Sequence, residues 1–187
     1  MHAAVLSSFF EAWVRKNGGT MGQATMTLSL SAGVKSFPLP SSVTGAIELV
    51  TNWENAFNEL SKRVGTAFTK IINAFNSTDD NCEDVLLLRK VRSNIDSVLS
   101  NAFGWNDIDL GHGFHETKQG VRYTISEPAR REVLARLLKL NHERYAEEVA
   151  QGLHDKKKSS AKKAGRTRSS RKTTWSGATL ARSQAIR

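Results

Sequence analysis

Nine cations stand within residues 156–172: Lys156, Lys157, Lys158, Lys162, Lys163, Arg166, Arg168, Arg171 and Lys172. This is the strongest chemical signal in the chain. Ammonium and guanidinium groups at such density bind phosphates without reading sequence, and the affinity falls steeply with salt. The plainer reading is a solvated, solubilising tail. Trp175 stands alone among these cations, where it could stack on a base or be an exposed aromatic without a role. The cations are not shared with the rest of the chain. Beyond His154 there are 11 Lys/Arg and one Asp, a net of +10; residues 1–154 hold 16 Lys/Arg and 17 Asp/Glu, a net of −1. A basic tail on a near-neutral body points to a polyanionic partner, nucleic acid or an anionic surface.

Other candidate chemistry is thin. His112 and His115 stand three apart in G-H-G-F-H, a spacing metal ligands use. No Cys, Asp or second His pair lies at partner spacing, so loop histidines are expected and no metal site. Glu116-Thr117-Lys118 is a Glu-x-Lys as in nuclease cores, but the upstream acid those cores need is missing from the pattern. There is no G-x-G-x-x-G after a strand and no phosphate-binding loop, so no catalytic residue is assigned. Asn141, beside His142, reads as a satisfied amide or a helix-packing hydrogen bond. Trp13, Trp53 and Trp105 fall on apolar stripes or at a helix end and read as core.

These groups need a scaffold, and hydrophobic periodicity predicts a mainly α one. Residues 3–16 (Val5, Leu6, Phe9, Phe10, Trp13) read as a helix stopped by Asn17-Gly18-Gly19. Thr25–Ser31 alternates like a half-buried strand, and F-P-L-P at 37–40 is extended. Residues 44–75 read as two helices joined near Gly65, 76–81 as a loop, and 82–103 as a helix stopped by Gly104 with Trp105 packing back. A polar loop over 106–120 precedes a short strand at Val121, Tyr123 and Ile125. Ser126 caps a final helix with Pro128 in its first turn. Leu134, Leu137, Leu138, Tyr145 and Val149 are expected to form its buried stripe, Glu132–Arg136 and Arg144–Glu148 its outward ion pairs, and Gly152 its end. Beyond Asp155 nothing is periodic, and a disordered tail is expected. The fold class is therefore a helical bundle with one or two short β elements and a basic C-terminal tail.

With Cys82 the single cysteine, no intramolecular disulfide can form. The N-terminus lacks the charged start of a signal peptide, and no apolar run approaches the roughly 20 residues of a membrane span. A cytoplasmic protein without a membrane partner is the expectation.

The run LRKVRSNIDSVLSNAFGWNDIDLGHGFHETKQGVRYTISEPARREVLARLLKLNHERYAEEV, from Leu88 to Val149, resembles the C-terminal end of large bacterial adenine-specific DNA methyltransferases. These are class I, S-adenosylmethionine-dependent enzymes of fused restriction–modification and BREX-type phage-exclusion systems. The following L-H-D-K-K-K, and upstream the Ser/Phe/Trp helix with F-P-L-P, are similar too. The resemblance implies a remnant of the target-recognition region over 1–40, a C-terminal helical domain over 41–154 and the tail over 155–187. It implies DNA as partner, together with the methyltransferase domain or another restriction–modification subunit. S-adenosylmethionine is implied only for the whole enzyme. Three prolines, at 38, 40 and 128, cannot build the Asn-Pro-Pro-Tyr-type motif that holds a flipped adenine, so the chain alone is expected not to methylate. Two other readings stay open: an interaction module docking on a separately encoded subunit, and a gene remnant.

Overall fold

Ser7 divides the first helix expected from the sequence. Its hydroxyl donates to the Ala4 carbonyl at 2.6 Å and accepts from the Phe10 N–H at 3.1 Å. A serine that serves as an N-cap starts a new helix, so the expected helix over 3–16 is corrected to α1 (His2–Val5) and α2 (Ser8–Asn17). The computed structural model describes residues 2–21, 25–27 and 33–153. The protein is mainly helical.

The chain then forms β1 (Gly19–Met21) and β2 (Thr25–Thr27), antiparallel with Thr20 opposite Met26. The sequence shows β2 through its alternation but hides β1, whose glycines read only as a helix stop. The rest of the strand expected to Ser31 lies outside the described residues. After the F-P-L-P segment come α3 (Ala46–Val64) and α4 (Phe68–Phe75), separated at Gly65, whose φ of +93° suits glycine. The expected two helices are there. Next is α5 (Glu83–Phe103), closed by Gly104 in the left-handed region with the Trp105 N–H donating to the Ser100 carbonyl.

Helix α5 is central because it serves two cores. Val85 and Leu88 pack with Ala56, Leu60, Ile71 and Phe75 of α3 and α4. Val91, Ile95 and Leu99 pack with Phe9, Trp13 and Phe37, and with Ile125, Val133 and Leu137 further on. Each fully buried aliphatic side chain stabilises by about 1.5–3 kcal/mol. Trp53 and Trp105 are half-buried against these cores, and Trp13 is fully inside.

The loop expected over 106–120 is corrected. It contains β3 (Gly113–Thr117), which pairs antiparallel with β4 (Gly120–Thr124), Phe114 opposite Tyr123. Phe114 is its one large apolar residue, too little to signal alternation. Helix α6 (Glu127–Ala150) follows. Ser126 caps it through the Ala129 N–H, and Glu132 pairs with Arg136.

The buried face of α6 is also corrected. Ala129, Val133 and Leu137 are buried and Leu134 is half-buried, but Leu138, Tyr145 and Val149 are 47%, 58% and 49% exposed. The packed stripe follows i, i+4, i+8 from Ala129, and the other three residues lie off it. The residues up to Glu143 form one compact unit; of the second, which begins at Arg144, residues 144–153 are described. Gly152 there has φ +70° and turns the chain out of the helix. Among the described residues no helix is long and apolar enough to cross a membrane.

Candidate functional site

Lys156, Lys157, Lys158, Lys162, Lys163, Arg166, Arg168, Arg171, Lys172 and Trp175 lie outside the described residues. What can be built is the body that carries them, and its cations are heavily engaged. Arg63 bonds both Asp80 and Asp84, at 2.9 and 2.7 Å. Arg92 and Arg15 share Glu11, Arg130 and Arg131 share Glu127, and Arg136 joins Asp107 to Glu132. Hydrogen bonds from Arg130 hold the Glu127 carboxyl at about 2, and those from Arg136 hold Asp107 at about 2. Burial pushes the Glu11 carboxyl up, but the Arg92 and Arg15 charges more than offset it, so its pKa stays below the ordinary value. Such pairs contribute little stability at the surface. Their consequence is electrostatic: these arginines are matched by carboxylates beside them.

The first polar centre the sequence did not reveal surrounds Asp96, which is fully buried on α5. One carboxylate oxygen accepts the Ser8 N–H at 2.7 Å, in the first turn of α2. The other lies 2.9 Å from His112 Nε2. An ionised carboxylate only accepts, so Nε2 carries the proton in this contact. The carboxylate also faces the positive end of α2. His112 thus ties the loop before β3 to α5, at the rim of a shallow polar depression lined by Ser97, Asn101, Asn106 and Asp109. His115 bonds the Gly111 carbonyl instead. The two histidines therefore have separate partners, and among the described residues no group of three or more His, Cys, Asp or Glu is placed to hold a metal. Glu116 and Lys118 are exposed near the hairpin turn.

The second unforeseen centre is Arg89, also buried on α5. It donates to the carbonyls of Phe75, Ser77 and Asp80 at 3.0, 2.6 and 3.0 Å. Its guanidinium lies 4.8 Å from the Phe114 ring centre and 5.6 Å from that of Tyr123. Desolvation lowers its pKa, yet guanidinium remains charged throughout the working range. The Tyr123 N–H in turn donates to Asn76 Oδ1 at 3.0 Å. Arg89 thus holds the end of α4, the 76–81 loop and the β3–β4 hairpin to α5. The one signal in the sequence is position: Arg89 lies one turn after Val85 and beside Leu88 on the packed side of its helix.

Asn141 Nδ2 donates to the Ser36 carbonyl at 2.6 Å, and His142 is exposed. On α3 and α4, Phe68 is 67% exposed and lines an open depression with Trp53, Glu54, Phe57 and Asn58; Ile47, at the start of α3, is 86% exposed.

No family model, curated protein or solved structure matches the chain.

Proposed function

We propose that the chain is the C-terminal, DNA-engaging part of an adenine-specific DNA methyltransferase of a restriction–modification or phage-defence system, and that it acts in the cytoplasm. The observation that carries this reading is the partition of charge. The tail holds net +10 and the body net −1, and the body's arginines named above are matched by carboxylates of the body itself. Electrostatic attraction to a phosphate backbone therefore belongs to residues 156–172. The resemblance over Leu88–Lys158 supports DNA as the polyanion, and supports a role beside a methyltransferase domain that binds S-adenosylmethionine elsewhere. The helical body supplies a platform for target recognition, and the chain alone transfers no methyl group.

The test is DNA binding by fluorescence anisotropy over a salt series. The full chain is compared with a variant carrying Gln at all nine of Lys156, Lys157, Lys158, Lys162, Lys163, Arg166, Arg168, Arg171 and Lys172. If all nine engage, the slope of log K against log salt is about −8, and the variant loses most of it. Unchanged affinity and slope would remove the tail as the phosphate-binding element. Incubation with DNA and labelled S-adenosylmethionine is expected to give no transfer; robust transfer would overturn the non-catalytic reading.

A second reading is favoured by one observation, the exposed Phe68 lining the depression with Trp53 and Phe57. It makes the chain a docking module for a separately encoded methyltransferase or restriction subunit. Co-purification with that subunit, lost in Phe68→Asp, together with negligible DNA binding by the chain alone, would favour it.

A further inference from the structure

We infer that the tip of the β3–β4 hairpin reads base edges, as a two-stranded ribbon entering the major groove of duplex DNA. The inference rests on the DNA reading above and adds the residues that recognise sequence.

The hairpin is clamped at its base and free at its tip. Phe114 and Tyr123, opposite each other in the ladder, lie 4.8 and 5.6 Å from the Arg89 guanidinium, and the Tyr123 hydroxyl is 3.2 Å from Ser93 Oγ. Beyond that pair Glu116, Lys118, Gln119, Gly120 and Val121 are all exposed. The turn itself is held in one shape. The Thr117 hydroxyl accepts the Gln119 N–H at 3.1 Å and donates to the Gly120 carbonyl at 2.7 Å, and Gly120 has φ +88°. An arm ordered in advance loses little entropy on binding.

Three side chains suited to base edges stand at this tip. Arg122 Nη2 donates to the Gln119 carbonyl at 3.2 Å, which brings its guanidinium to the turn formed by Lys118 and Gln119. That bond uses one of five N–H donors. Arg122 differs from the other arginines up to Glu143. Arg15, Arg63, Arg92, Arg130, Arg131 and Arg136 are paired with carboxylates, and Arg89 is buried on carbonyls. Among the described residues no ion pair engages Arg122. The hairpin's carboxylate, Glu116, is paired with Val121 on the opposite face of the ribbon from Arg122.

The dimensions fit. Paired strands stand about 4.8 Å apart, and the major groove, about 12 Å wide and 8.5 Å deep, admits such a ribbon. Lys118 follows the clamped Phe114 by four residues, about 13 Å at 3.3 Å each, so the tip reaches the groove floor before the body meets the phosphates. Arg122 offers its fork to guanine O6 and N7, Lys118 its ammonium to the same acceptors, and Gln119 its amide to adenine N6 and N7.

The test starts from a randomised duplex library enriched by the full chain at moderate salt. The expected result is a motif containing guanine and adenine, bound at least about tenfold more tightly than a shuffled duplex in fluorescence anisotropy. Arg122→Ala should lose about 5- to 100-fold of the discrimination at one guanine, and Gln119→Ala a similar factor at one adenine. Arg122→Lys should keep the salt slope and lose the guanine preference, because an ammonium lacks the fork. Each variant should melt with the parent chain. A chain that binds every duplex equally, with the steep salt slope of its tail, overturns this inference and leaves the DNA reading standing. A chain that binds no DNA removes both. A preference that survives Arg122→Ala and Gln119→Ala, or one confined to single strands or RNA, overturns the inference as well.

Discussion

Replacing Arg89 by Met keeps most of the side-chain volume and removes the guanidinium that joins four structural elements. Three charge-assisted hydrogen bonds are lost, to Phe75, Ser77 and Asp80, together with the ring contacts to Phe114 and Tyr123. The Ala74 carbonyl, 3.4 Å away, keeps the Ser77 N–H as a donor and adds little. At about 1 kcal/mol net for each of three bonds and about 0.5–1 for the cation–π contact, the loss comes to about 4 kcal/mol. Relief of the desolvation that lowers the Arg89 pKa offsets part of it, leaving about 2–4 kcal/mol destabilisation. Against a typical total of about 5–15 kcal/mol, that is a severe change for one residue. Urea unfolding followed by tryptophan fluorescence measures it; with m near 1–3 kcal/mol/M, the midpoint should fall by about 1–2 M. Arg89→Lys should recover only a minor part, because one ammonium cannot span three carbonyls held by a planar fork. If Met were as stable as Arg, or Lys fully equivalent to it, the account of Arg89 as the clasp between α4, the hairpin and α5 would be wrong.

Asp96→Asn keeps the shape but gives up the charge facing the α2 N-terminus and one of its two acceptor oxygens; a loss of about 1–3 kcal/mol in chemical denaturation is expected, and no loss would refute that account. Ser7→Ala removes the cap between α1 and α2 and should cost about 1 kcal/mol, read as a lower melting temperature; an unchanged one would mean α2 needs no side-chain cap. Glu127 is one of the carboxylates that contribute on the acid side; its pKa falls from 4.5 to about 2 in the folded chain through its arginines. A depressed carboxylate contributes stability above its unfolded pKa and loses it as the pH falls through the folded value, here between about 4.5 and 2. Because the group is largely exposed, the contribution is below about 1 kcal/mol and shrinks with salt. Melting temperature against pH should therefore fall less steeply over that window in Glu127→Gln; parallel curves at low salt would contradict the pairing.

The elements whose apolar period is long and uninterrupted were legible in the sequence: α3 and α4 with their break at Gly65, α5 with its Gly104 stop, and the Ser126 start of α6. The misses share a physical cause, which is that a side chain does two jobs. Ser7 sits inside an apolar repeat yet caps a helix, so one expected helix is two. Phe114 is apolar, but its strand is defined by pairing with Tyr123 rather than by alternation of its own. Asp96 and Arg89 lie on the packed side of α5, where an apolar period counts them as defects; their value comes from partners 88 and 14 residues away. Nothing local to either residue encodes those partners.

The same reasoning explains why α6 was misread and why that bears on function. Summed around the helix, its apolar residues blur into one broad stripe, because the packed face and the Leu138–Tyr145–Val149 face differ by a rotation rather than by composition. The proposed contact with the DNA backbone draws on the lysines and arginines of residues 156–172 and not on the exposed Leu138 of α6. Leu138→Asp should therefore leave the salt slope of DNA binding intact. A slope flattened by that single change would show that the helix itself takes part in the contact.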